Sequence, residues 1–89
     1  MLTDEQALKN FSANLGQAVE EREWDQIDLA KALQAKDESL DAAKMRVSRY
    51  VRGLHMPSGA TLANIAEVLS VTVDWLLSSP RKKNSRHAG

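Results

Sequence analysis

Cysteine is absent from the 89 residues, which excludes disulfides, thiolate metal ligands and thiol nucleophiles together. Histidine occurs only as His55 and His87, neither at a metal-ligand spacing from a second ligand, so no metal or other cofactor is expected. Aromatics make up 4% of the chain and β-branched residues are scattered, which leaves little material for a sheet. No apolar run approaches the roughly 20 residues of a membrane span. The opening Met-Leu-Thr-Asp-Glu-Gln lacks the basic-then-apolar layout of a secretion signal, so a cytoplasmic protein is expected. There is no Ser/His/Asp set and no glycine-rich phosphate loop, so no catalytic residues are assigned and an enzyme is not expected. Net charge, too, is zero.

What the chain does have is helical spacing throughout, and the expectation is an all-α, compact five-helix domain over residues 1–78 followed by a flexible basic tail at 79–89. Thr3 followed by Gln6 has the form of a capping box, and Leu8, Phe11, Leu15, Ala18 and Val19 then make one apolar stripe. Asp25 is a candidate cap for a second helix, with Ile27, Leu29, Ala30 and Leu33 on its buried side. Residues 35–41 lose the period and read as an extended turn, with Ser39 or Asp41 capping the next helix. That third helix should end at Gly53, with Val47, Val51 and Leu54 facing the core and Tyr50 at its edge. A fourth is expected over about 59–69, and a short fifth behind Thr72, stopped by Pro80. Trp24 and Trp75 read as packing residues.

The zero net charge hides a division. Residues 1–41 hold ten acids against four bases, and residues 42–89 hold eight bases against two acids, so the halves carry −6 and +6. Within the basic half, Lys44, Arg46, Arg49 and Arg52 fall in nine positions of the third helix, and no acid occurs between Ala42 and Ala66. Such a ridge is either a solvated cationic face or a surface for a polyanion. An arginine fork matches the O6 and N7 acceptors of guanine, and a single helix fits the major groove of B-form DNA.

Order and spacing bring a resemblance into view. Gln26-Ile-Asp-Leu29-Ala30, then Val47-Ser48 with Gly53 five positions after the serine, then Pro57, then Leu62-Ala-Asn-Ile65-Ala66-Glu-Val-Leu69 and Val71-Thr-Val73-Asp74-Trp75-Leu76-Leu77, follow one another as in the phage repressor and Cro (XRE) family. The run from Gln26 to Leu77 resembles the helix-turn-helix domain of that family, whose fold is the lambda-repressor-like bundle. Two features depart from the pattern. Ala30 and Ser48 stand 18 positions apart, about seven more than the motif usually leaves, and the turn glycine is missing. Where many relatives pair a buried Arg with a Glu, this chain has Val19 and Val51, an exchange that avoids the cost of desolvating an ion pair.

The resemblance implies base-edge contacts from Lys44, Met45, Arg46 and Arg49, and phosphate contacts from Gln26, Ser48, Arg52, His55 and Ser58. It implies double-stranded operator DNA as the partner, a homodimer meeting through Trp75, Leu76 and Leu77, and repression of a phage or prophage type from a palindromic site. Arg81, Lys82, Lys83 and Arg86 would add sequence-independent attraction or serve only as a solubilising tail. The rival reading is an antitoxin-type interaction module that autoregulates its operon and docks a protein partner through the acidic N-terminal half.

Overall fold

A computed structural model describes residues 2–80; positions 81–89, most of the expected basic tail, lie outside the described residues. The described chain is all-helical, with α1 Asp4–Glu21, α2 Gln26–Leu33, α3 Leu40–Val51, α4 Gly59–Leu69 and α5 Val73–Leu77. Each start has a local cause. Thr3 and Gln6 bond reciprocally at 3.1 Å in the capping box, and Ser39, Ser58 and Thr72 each accept from the backbone amide three residues on. At α2 the Asp25 amide donates to Asp28 Oδ2 at 2.8 Å.

The helix ends are equally specific. α1, α3 and α4 all close with paired bonds around one left-handed residue: Glu23 (φ 61°), Gly53 (φ 73°) and Ser70 (φ 57°). At α3, for example, Gly53 N–H donates to Tyr50 O at 3.1 Å and Leu54 N–H to Arg49 O at 2.9 Å. α2 ends differently. Gln34 leaves the helix in extended backbone (φ −58°, ψ 125°), and no left-handed residue follows it.

Phe11, Leu15, Leu29, Ile65, Leu76 and Val47 are the large apolar side chains sealed completely from solvent. They come from all five helices, and each buried side chain of this size contributes about 1.5–3 kcal/mol to stability. α2 packs chiefly on α3, and α1 on α5 and α3, while α4 bridges α2 and α5. The core thus sits behind the α2–α3 pair and holds both from the rear.

Two expectations about this core need correction. Leu54 is 59% exposed, because the helix stops at Val51 and Gly53 swings the chain away, so the four-residue period no longer applies there. Tyr50 is inside instead of at the edge, its ring meeting Phe11 edge-on with centroids 6.1 Å apart. Among the described residues the one buried polar side chain was also not anticipated. Asn14, 1% exposed on α1, directs its amide Nδ2 to the carbonyls of Trp75, Leu76 and Ser78 at 3.0, 3.0 and 2.8 Å. Asn10 adds a bond to Leu77 O at 2.9 Å. This five-residue helix, capped by Thr72 and closed by Ser78, is thus also held by side chains from the first.

Candidate nucleic-acid interface

The hydrophobic side of α3 fixes what its other side can present. With Ala43, Val47 and Tyr50 buried, the helix must turn Asp41, Ala42, Met45, Arg49 and Arg52 outward, and all five are exposed. Met45, at 57% exposed, lies at the middle of this face, an apolar side chain with no partner inside the chain's core. Lys44 is exposed on one flank, next to the half-buried Ser48. Lys44, Met45 and Arg49 therefore share an accessible surface, as the spacing suggested. Asp41 belongs to the same surface in the first turn. It was read only as a possible cap, a role Ser39 takes, and its position on the outward stripe was the signal overlooked.

Arg46 lies elsewhere. Its Nε and Nη2 donate to the two carboxylate oxygens of Glu38, each at 2.9 Å, and Nη2 also donates to Leu33 O at 3.0 Å. Nη1 donates to the Tyr50 hydroxyl at 3.3 Å, and the guanidinium carbon stands 5.9 Å from that ring's centroid. Four of the five guanidinium N–H groups are thus engaged inside the chain. The structure does not bring Arg46 together with Lys44, Met45 and Arg49.

The pair is only partly buried, the side chains of Arg46 and Glu38 being 26% and 18% exposed. The bond from Arg46, and then that from the Ala35 amide, holds the Glu38 carboxyl below the usual glutamate range. Reciprocally, the bond to Glu38 makes the guanidinium still harder to deprotonate.

The residues expected at phosphates lie on α3 itself, at the start of α2 and in the segment that follows α3. Gln26 is exposed at the first position of α2, beside the Asp25–Asp28 carboxylates that already occupy that helix end. It lines a surface depression of about 480 Å³ together with Val19, Trp24 and Val51, so the apolar Val19–Val51 pair lies directly behind it. Arg52 is exposed at the C-cap of α3, and Ser12 Oγ donates to Val51 O at 2.6 Å, tying this end to α1. His55 is exposed with its ring stacked on Tyr50 (centroids 6.1 Å, planes 18° apart), and Ser58 caps α4.

At the far end, Trp75 and Leu77 are half-buried, whereas Leu76 is sealed in the core of its own chain and has no surface for a second subunit. Among the described residues no group of three or more His, Asp or Glu side chains could hold a metal ion, and no helix is long and apolar enough to cross a membrane.

A supporting helix packed across a second helix whose polar face is turned outward defines a helix-turn-helix unit. A helix-turn-helix family model matches residues 15–76, and the chain belongs to the XRE-type helix-turn-helix family. It is accordingly a DNA-binding regulator of transcription, a family defined by binding and not by catalysis. No curated protein and no solved structure matches it significantly.

Proposed function

We propose that the protein is a repressor of the compact phage or prophage type, binding a two-fold symmetric operator as a homodimer. The observation that carries this reading is the outward face of α3: Lys44, Met45 and Arg49 stand together on a helix whose opposite face is anchored in the core. Lying in the major groove, Arg49 and Lys44 offer donors to guanine, and Met45 offers apolar contact to a thymine methyl. Asp41, at the same helix start, would accept from cytosine N4. Ser48 on α3 itself, and Gln26, Arg52, His55 and Ser58 at helix ends and in the 53–58 loop, in this reading hold the phosphates that set register. Binding at a promoter then represses by occlusion, with no chemistry required.

One chain offers few phosphate contacts, and specific sites are held at roughly 10⁻⁸–10⁻¹¹ M, which favours two copies per operator. Trp75, which lines a depression of about 490 Å³ with Gln17, Glu21, Val71 and Thr72, and the half-buried Leu77 suit the dimer contact. Selection from a randomised duplex library, followed by affinity against salt, tests the reading. The expected outcome is a two-fold symmetric motif, with half-sites about one helical turn apart and affinity falling steeply with salt. Weak binding with no enriched motif would contradict it.

A further inference from the structure

We infer that Arg46 is the positioning residue of the DNA-facing helix: it closes the C-terminus of α2 and clasps the lengthened turn, standing in for the missing turn glycine. The inference deepens the proposed function and rests on α3 being the helix that meets DNA. Its starting point is the contrast among helix ends. α1, α3 and α4 satisfy their last carbonyls with amides that follow a left-handed residue, whereas α2 has no such residue after it. Its terminal carbonyl, Leu33 O, receives Arg46 Nη2 from the middle of α3 instead. A cation at a helix C-terminus also meets the negative end of the helix dipole.

The same guanidinium organises the six residues between the helices. Glu38, gripped by two parallel N–H···O bonds, accepts the Ala35 amide at Oε1 (3.0 Å), while its own amide donates to Ala35 O (3.0 Å). Gln34 Nε2 donates to Glu38 O at 2.7 Å and closes the loop. Nη1 on the Tyr50 hydroxyl then joins this assembly to a ring seated in the core. Three elements (the end of α2, the turn and α3) are therefore joined at one planar group. A fork–fork pair fixes angle as well as distance, which a lysine in the same place does not. Arg46 thereby sets the inclination of α3 on α2, and with it the aim of Lys44, Met45 and Arg49, without touching a base.

The test uses the full chain and the variants Arg46→Gln, Glu38→Gln and their double. One readout is affinity and base preference on the duplex pool enriched by the wild type; the other is amide hydrogen exchange without DNA. Each single variant is expected to lose roughly tenfold or more in affinity, the scale of one mismatched base pair. The double should fall within about threefold of the worse single, because both substitutions break one joint. Base preference at every position should be unchanged, and exchange at the Ala35 and Glu38 amides should quicken in all three.

If Arg46→Gln flattens preference at one base while Glu38→Gln binds normally, Arg46 reads a base and the inference is overturned. Unchanged exchange at Ala35 and Glu38 overturns it as well. If the wild type enriches no motif, the proposed function fails, and the exchange readout alone decides whether the clasp holds the turn. Should the glutamine variants not fold, Arg46→Lys keeps the charge but not the fork. Quickened exchange in it supports the clasp, and wild-type exchange refutes it.

Discussion

Side chains from another helix bond the ends of α2, α3 and α5, and the clasps at α5 and α2 are built from opposite materials. At α5 the donors are the neutral amides of Asn10 and Asn14, the latter buried. At α2 the donor is a guanidinium, partly open to solvent and paired with a carboxylate. A neutral amide in a dry site responds little to salt or pH, so α1 and α5 form a fixed frame. An ion pair at the surface is screened by salt and titrates with acid, so the joint beneath α3 responds to both. The frame carries stability, and the charged joint carries the geometry of recognition.

The contrast can be broken at several points. The largest effect belongs to the frame: Leu76→Ala should cost about 2–5 kcal/mol in chemical denaturation, whereas Leu54→Ala, at an exposed site, should stay within about 0.5 kcal/mol. Equal losses would show that the fifth helix is not part of the core. Asn14→Ala should follow at about 2–3 kcal/mol, because the buried bond to the Leu76 carbonyl is lost, with a melting temperature lower by roughly 10 °C or more. A loss no larger than that of a surface substitution would mean that α5 holds without its clamp.

On the recognition side, Arg49→Ala should leave stability unchanged and cost about 1–3 kcal/mol of affinity for the selected duplex, with relaxed preference at one base. Uniform weakening on every sequence would make Arg49 a phosphate contact instead. The smallest effect concerns pH. Since Arg46 lowers the pKa of folded Glu38, the folded state gains from the carboxylate, and that gain is complete above the ordinary glutamate range. It is lost as pH falls through the lowered value, below that range. The Arg46 Nε–H and Ala35 amide resonances should move together there, while the Asn14 side-chain amide stays still. Movement of all three together would erase the distinction between frame and joint.

How much of this the sequence disclosed follows from the range of each interaction. Caps act over three residues, so Thr3, Asp25 and Thr72 were readable in place, Ser39 was one of two candidates with Asp41, and Ser58 would have been found by the same rule. The apolar stripe of α1 and the outward Met45 and Arg49 follow from helical period alone. Asn14 looked like one more polar residue, since its partners lie 61 to 64 positions away. Arg46 looked like part of a basic ridge because composition records charge and not direction. At 100° per residue it falls on the flank opposite Lys44, close to the turn. Glu38 has no signal of its own within the aperiodic turn at 35–41. Leu54 failed for the converse reason, a period carried past the glycine that ends it.

The measurement that tests the account most directly is an NMR titration of the protein with the duplex it selects from a random pool, following every backbone amide. The largest shifts should fall on the first half of α3, on Arg49 and Arg52, on residues 53–58 and on Gln26. The α1–α5 frame should remain nearly unmoved. Shifts concentrated instead on the outer surface of α1 or α4, with α3 unaffected, would contradict the claim that the outward face of α3 meets DNA.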